Sequence, residues 1–165
     1  MNIIFLDTDP KTSASYHCDK HVVKMIIESA QLLSTAHREL DPDAVDELYR
    51  ATHKNHPTAK WVRSSKEHYE WTYKLFAHLS MEYTKRYGKT HKSWKNLKRH
   101  LYKLPQNIPT NGWIDPPQCM PDHCKDDDVV TAYRNYYILE KNNFAVWKYS
   151  GTPAWYTKGI SNANV

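Results

Sequence analysis

The stretch from His17 to His37 has an apolar periodicity that restricts it to a helix. Apolar side chains recur three and four residues apart, at Val22, Val23, Ile26, Ile27, Ala30 and Leu33. Residues at this spacing share one face of an α-helix, and such a face has to be buried. A polar line follows the same spacing beside it, formed by His17, His21, Lys24, Glu28, Gln31 and Thr35. The sequence therefore predicts one amphipathic helix, beginning at Thr12 or Ser13 and ending near Glu39.

Other helical patterns follow this one along the chain. Helices are predicted over 42–50, over 57–87 with a kink at Ser64-Ser65, after a cap at Ser93, and from 128 to about 147. The apolar run 1–6 is expected to be a short extended N-terminal arm. Five of the nine prolines lie in 105–121, which excludes a regular element there and predicts a Pro-rich loop before the last helix. The tail 147–159 is predicted to be an aromatic, basic loop.

The length and composition favour one globular domain. A chain of 165 residues can bury the core of a single domain, so we expect 1–165 to be one compact all-α domain of about four main helices. Four glycines and no glycine-rich phosphate motif argue against a Rossmann or P-loop protein. Three cysteines without a signal peptide favour free thiols and a cytoplasmic location. No apolar run approaches the roughly 20 residues of a membrane span, and we expect a monomer.

Glu28 is the leading candidate for chemistry on the polar line. It lies one helical step from Lys24 and two from His21, so its carboxylate is predicted to lie beside positive partners. General acid–base catalysis needs a carboxylate with such a tuned environment. An ordinary solvated helix face remains the alternative interpretation of this line.

Histidines and cysteines suggest a metal site as a second hypothesis. His17 and His21 are four residues apart and could share a divalent ion on one helix face. Cys119, His123 and Cys124 form another cluster that could complete a zinc site. Under this hypothesis zinc is the cofactor; otherwise no cofactor is expected.

Basic and aromatic residues suggest nucleic acid as a partner. The chain carries a formal net charge of +5, and cations are dense on the helix after Ser93. Cations neutralise phosphates, while Trp and Tyr rings can stack on exposed bases. The predicted DNA contacts are Lys24, Lys92, Lys95, Arg99, Trp155, Tyr156 and Lys158.

Three segments resemble the endonuclease V-type phage pyrimidine-dimer DNA glycosylases. Asp19-x-His21 followed by Glu28 is similar to the helix that carries the family's catalytic glutamate. The predicted long helix is similar to the family's sequence at Pro57-Thr58, His68, Tyr73-Lys74-Leu75 and Lys85-Arg86-Tyr87-Gly88. The tail is similar to the family's aromatic loop at Pro153-Ala154-Trp155-Tyr156. The His17–His37 stretch also resembles a group of uncharacterised small tailed-phage proteins.

The glycosylase resemblance implies a specific reaction on damaged double-stranded DNA. In that family the N-terminal amine, here of Met1 or Asn2, attacks the sugar C1′ and forms a Schiff base. Glu28 would stabilise the cationic sugar and help the elimination that nicks the strand, and His21 would lie beside the flipped nucleotide. Two alternatives stay open: an accessory protein that binds a nucleotide or phosphorylated signal molecule without catalysis, and a metal-dependent hydrolase.

Overall fold

A computed structural model describes residues 1–164 and shows an all-helical protein, as the sequence predicts. Within these residues there are seven α-helices and no strand. The helices are α1 Pro10–Tyr16, α2 Asp19–Leu40, α3 Pro57–Ser64, α4 Lys66–Tyr87, α5 Lys92–Tyr102, α6 Val129–Glu140 and α7 Ala154–Ala163, with one 3₁₀ turn at Asp122–Cys124. No helix within 1–164 combines the length and the apolar character needed to cross a membrane.

Helices α2 and α4 form the centre of the core. α2 packs against α3, α4 and α5, while α1 packs on α4, and α6 pairs with α7. The N-terminal arm lies extended and buried against this core, with Ile3 through Leu6 almost fully covered. The Ser13 hydroxyl fixes the arm, because it accepts a hydrogen bond from the Leu6 amide at 3.1 Å and lies 3.3 Å from the Ile4 carbonyl. This docking determines where residue 1 lies.

The prediction of one continuous first helix was wrong, because the helix is broken between α1 and α2. Cys18 has an extended backbone with ψ 161°, so the chain turns between the two helices. The Arg86 guanidinium binds the turn: it donates to the carbonyl oxygens of Ser15 at 3.0 Å and His17 at 2.7 Å. It also pairs with Asp19 at 3.2 Å. A cation from α4 therefore satisfies carbonyls that a continuous helix would have bonded itself.

The predicted helix over 42–50 is also wrong, since this segment is a series of turns. Arg38 of α2 donates to the carbonyl oxygens of Leu48 and Tyr49, each at 2.8 Å, which replaces helical bonding there.

The predicted kink at Ser64-Ser65 is confirmed and is a complete break. Ser65 is extended, with ψ 144°, and its hydroxyl donates to the Gly112 carbonyl at 2.7 Å.

The C-terminal third contains one helix more than predicted. α6 ends at Glu140 instead of near 147, and residues 154–159 of the expected aromatic loop belong to helix α7. The helix count therefore exceeds four, and the Pro-rich loop precedes α6 rather than the last helix. Gly159 permits the pairing of α7 with α6, because a Cβ at this position would overlap the Ile138 side chain.

Two predicted helix caps can be compared with the structure. Asp128 caps α6 by accepting from the Thr131 amide at 2.9 Å, whereas α5 is capped by His91 and not by Ser93.

Candidate active site

A cavity of about 250 Å³ lies where the N-terminal arm meets α2, and we call it the N-terminal cavity. Its walls combine four parts of the chain: the arm, the N-terminal half of α2, the N-cap residue of α3 and the region from 119 to 141. The lining residues are Met1, Asn2, Ile4, His21, Lys24, Met25, Glu28, His56, Cys119, Tyr136 and Lys141. The cavity therefore gathers an amine, a carboxylate, two histidines and two lysines.

The terminal amine of Met1 lies 3.6 Å from the Glu28 Oε1 atom inside this cavity. The Met1 side chain is 2% exposed and that of Glu28 is 18% exposed, so the pair is largely shielded from solvent but remains open to the cavity. An amine is a nucleophile when unprotonated, and a carboxylate beside it can stabilise a cation or transfer a proton. These two groups were predicted to act together, and the structure brings them within reach of one reacting atom.

The side chain of Asn2 is held by hydrogen bonds on both ends of its amide. Thr58, Tyr133 and the Cys119 carbonyl are its long-range partners. Asn2 therefore contacts α3, α6 and the end of the Pro-rich loop, directly beside the amine.

His21 lies on the cavity wall in a buried, neutral form. Burial, followed by the charges of His17, Lys24 and other nearby cations, lowers the pKa of His21 to about 3. Its Nδ1 atom is 2.7 Å from the Tyr137 hydroxyl. Burial raises the pKa of Tyr137, so the hydroxyl beside this imidazole is neutral. At neutral pH His21 therefore contributes a hydrogen-bonding group to the cavity wall but no charge.

Asp19, the other polar residue of the Asp-x-His motif, supports the structure outside the cavity lining. Its Oδ1 pairs with Arg86 at 3.2 Å, and its Oδ2 accepts from the Lys148 amide at 2.8 Å. Arg86 is 5% exposed and also binds Glu82 at 3.0 Å. Sequence reasoning did not identify Arg86 as the centre of this network, and no local signal marks it.

Three residues of the predicted polar line, His17, Gln31 and Thr35, are not part of the cavity lining. His17 belongs to the turn between α1 and α2, is fully buried, and donates from Nδ1 to the Ser13 carbonyl at 2.7 Å. Thr35 is also buried, and its hydroxyl accepts from the Thr52 amide at 3.2 Å. The part of the line that lines the cavity is His21, Lys24 and Glu28.

Six lining residues were not among the predicted catalytic or DNA-binding residues: Ile4, Met25, His56, Cys119, Tyr136 and Lys141. Lys141 lies just beyond α6, with its ammonium 4.7 Å from the centre of the Tyr136 ring and 5.9 Å from that of Phe144. His56 caps α3 by accepting from the Thr58 amide at 3.1 Å. Burial, and after it the charge of the Met1 amine, lowers the pKa of His56, so this imidazole is also biased towards neutrality. His56 and Lys141 are far in sequence from the α2 residues of the cavity, so no local pattern could predict that they line it.

The predicted DNA contacts divide into exposed cations and packed aromatic rings. Lys24 lines the cavity, and Lys92, Lys95, Arg99 and Lys158 are all exposed on helices α2, α5 and α7. Tyr156 is buried, with its ring centre 4.7 Å from that of Trp147. Trp155 is half-buried and packs on Tyr16 at 5.9 Å. Both rings are therefore used in packing α7.

The residues of the metal hypothesis do not form one group. Among the described residues, the ligand atoms that gather within 4.8 Å of one another belong to His123, Cys124 and Glu140. His17, His21 and Cys119 are outside that group. His17 uses Nδ1 for the Ser13 carbonyl, and Cys119 lies with its sulfur 3.5 Å from the Thr58 hydroxyl.

A second cavity, of about 280 Å³, lies at the C-terminal end of α2. Its lining includes His37, Asp41, His100 and Lys103. His37 is bonded to the Tyr69 hydroxyl at 2.8 Å, and Asp41 accepts from the Gln106 amide at 2.8 Å. Because these polar groups are engaged in joining the Pro-rich loop and α4 to α2, the N-terminal cavity is the better candidate for chemistry.

Comparison with models of known protein families gives a match. A family model described as pyrimidine dimer DNA glycosylase matches residues 1–96, more than half of the chain. Neither the curated proteins nor the solved structures include a match. The matched stretch contains Met1, His21 and Glu28, whereas Cys119, Tyr136 and Lys141 of the cavity wall lie beyond it.

Proposed function

Because this chain belongs to the pyrimidine dimer DNA glycosylase family, we propose that it excises the damaged pyrimidine and nicks the strand through an amine Schiff base in the N-terminal cavity. The observation that carries this proposal is the 3.6 Å separation of the Met1 amine and the Glu28 carboxylate. Family membership supports DNA as the substrate, and this geometry supports the way in which the substrate is attacked.

The proposed reaction uses only groups of the cavity and water. The unprotonated Met1 nitrogen bonds to the sugar C1′, and the bond to the base breaks with its electron pair leaving on the base. The nitrogen then loses a proton to the ring oxygen O4′ as the C1′–O4′ bond breaks with its electron pair on that oxygen, and the nitrogen lone pair forms the C=N bond of the Schiff base. Glu28 stabilises the cationic sugar and accepts a proton from C2′, so that the 3′ phosphate leaves with the electrons of its C–O bond. Water finally hydrolyses the Schiff base and restores the amine.

The cations at the cavity support binding of the phosphate backbone. Lys24 and Lys141 both line the cavity, and Lys20 lies with its ammonium 4.8 Å from the centre of the Phe144 ring. Phosphates on either side of a flipped nucleotide would be neutralised by such groups. The exposed cations of α5 and α7, Lys92, Lys95, Arg99 and Lys158, would add salt-dependent affinity without reading sequence. The mechanism needs no metal ion, because the amine and the carboxylate supply the nucleophile and the base.

Trapping of the Schiff base tests this proposal. The full chain is incubated with an ultraviolet-irradiated duplex or with a duplex containing an abasic site, in the presence of borohydride, which reduces a Schiff base to a stable amine. We expect a covalent adduct whose mass spectrum places the DNA remnant on the α-amine of Met1. Glu28→Gln should retain binding to an abasic analogue but nick at least about 100-fold more slowly.

A variant with one additional residue before Met1 is the matched control, since it moves the amine away from Glu28 while leaving every side chain in place. It should bind DNA and yield no adduct. A wild-type chain that gives neither an adduct nor a nick, or an adduct located on a lysine, would refute the proposal. Mass spectrometry of the intact protein identifies the residue that bears the amine.

A further inference from the structure

We propose that Asn2 is a positioning residue, whose side chain is fixed by Thr58, Tyr133 and the Cys119 carbonyl so that the Met1 amine is held against Glu28. This inference rests on the proposed function, in which that amine is the nucleophile. We call these contacts of Asn2 the N-terminal clamp.

The clamp engages both polar atoms of the Asn2 amide. Oδ1 lies 2.8 Å from the Ile3 amide, 3.3 Å from the Thr58 hydroxyl and 3.2 Å from the Tyr133 hydroxyl. Nδ2 donates to the Cys119 carbonyl at 3.1 Å. A side chain bonded at both ends of its amide group can occupy one orientation only, which fixes the backbone of residue 2.

The partners in the clamp are themselves rigid. Thr58 is 1% exposed in the first turn of α3, and Tyr133 is fully buried on α6. The Tyr133 hydroxyl lies 2.7 Å from the Pro117 carbonyl and accepts from the Cys119 amide at 3.4 Å, so it also holds the end of the Pro-rich loop. Burial raises the pKa of Tyr133, which keeps this hydroxyl protonated and able to donate. Three separate segments therefore converge on one amide.

This arrangement matters because a chain terminus is otherwise the most mobile part of a protein. With residue 2 fixed, only the torsions of Met1 separate the anchored backbone from the amine. The 3.6 Å distance from the amine to Glu28 depends on this anchoring. Catalysis by proximity is sensitive to such placement, since a displacement of about 1 Å can cost about 100-fold in rate.

Single-turnover trapping on a preformed abasic duplex tests the clamp. Asn2→Leu removes the amide while keeping a large residue at position 2. The trapping rate should fall about 100-fold, whereas the affinity for a duplex with a non-reactive tetrahydrofuran abasic analogue should stay at the wild-type value. Tyr133→Phe and Thr58→Val each remove one hydroxyl and should lower the trapping rate about tenfold. Intact-protein mass spectrometry confirms that Met1 is present in each variant.

Tyr73→Phe is the matched control, because its hydroxyl also bonds a carbonyl, that of Lys98 at 3.0 Å, away from the cavity. It should trap DNA at the wild-type rate. If Tyr133→Phe and Thr58→Val both fold and trap at the wild-type rate, the clamp does not position the amine and the inference fails, while the proposed function stands. If affinity and trapping fall together in these variants, the clamp only shapes the binding surface and the inference also fails. Absence of trapping by the wild-type chain refutes the proposed function instead.

Discussion

His17 makes the protein sensitive to acid, and the replacement His17→Asn should reduce that sensitivity. The imidazole is fully buried, with Nδ1 donating to the Ser13 carbonyl and Nε2 without a hydrogen-bond partner among the described residues. Burial lowers the pKa of His17 from 6.5 to about 4; the hydrogen bond to the Ser13 carbonyl opposes this shift, and the nearby Arg86 guanidinium adds to it. The Asn side chain keeps a donor near the position of Nδ1 and cannot be protonated in this range.

The magnitude follows from the two pKa values. The unfolded chain binds a proton at His17 as the pH falls below 6.5, but the folded chain does not until about pH 4. Protonation therefore favours the unfolded state throughout this window, and each pH unit costs about 1.4 kcal/mol. Between pH 7 and pH 4.5 the wild-type chain should lose about 2 to 3 kcal/mol of folding free energy through this one residue.

Urea denaturation monitored by circular dichroism, at pH 7 and at pH 4.5, measures the effect. We expect His17→Asn to be less stable than wild type at pH 7, because the smaller side chain leaves a void, but to lose about 2 to 3 kcal/mol less on acidification. His53→Asn, which replaces an exposed histidine, is the control and should follow the wild-type dependence. If His17→Asn and wild type lose equal stability between the two pH values, the buried neutral imidazole is not the cause and the reasoning is refuted.

Three further predictions concern the framework and the cavity. Arg86→Met should destabilise the chain by about 3 to 5 kcal/mol in urea denaturation, because it leaves a buried carboxylate and two carbonyls without the Arg86 donor. Lys85→Met on the exposed side of α4 should have little effect. Gly159→Ala should lower the stability by about 1 to 3 kcal/mol through overlap with Ile138, as measured by thermal unfolding, and an unchanged midpoint would contradict the close contact of α6 and α7. Lys141→Met should weaken binding of a duplex with an abasic analogue and reduce the slope of log Kd against the logarithm of salt concentration by about 1. Fluorescence anisotropy titrations at several salt concentrations measure this slope. An unchanged slope would exclude a phosphate contact of Lys141.

The spacing of polar residues along the sequence predicted the part of the site that α2 contributes. Lys24 and Glu28 lie four residues apart on α2, so a period of 3.6 residues is sufficient to place them side by side. The meeting of Glu28 with the Met1 amine was implied by the family resemblance and not by spacing. It depends on how the arm docks on the Ser13 hydroxyl, which is a contact between different elements.

The errors arose where a distant residue decides the local structure. The turn at His17 and Cys18 depends on Arg86, which is 69 residues from His17 in sequence. Glycine and proline around α7 favour a loop when considered locally, but the fit of Gly159 against Ile138 stabilises a helix there. Tertiary contacts of this kind override local propensity, and no periodicity reveals them.

The N-terminal clamp has a consequence for the order of events during synthesis. The amine leaves the ribosome first, yet the Cys119 carbonyl and the Tyr133 hydroxyl that hold Asn2 are made 117 and 131 residues later. In a nascent chain, the Asn2 side chain therefore lacks two of its three long-range partners until the chain has been translated through α6. A chain truncated before α6 contains Met1, His21 and Glu28 but lacks the Tyr133 contact of Asn2 and the cavity walls formed by Tyr136 and Lys141, so the complete cavity requires translation to reach residue 141.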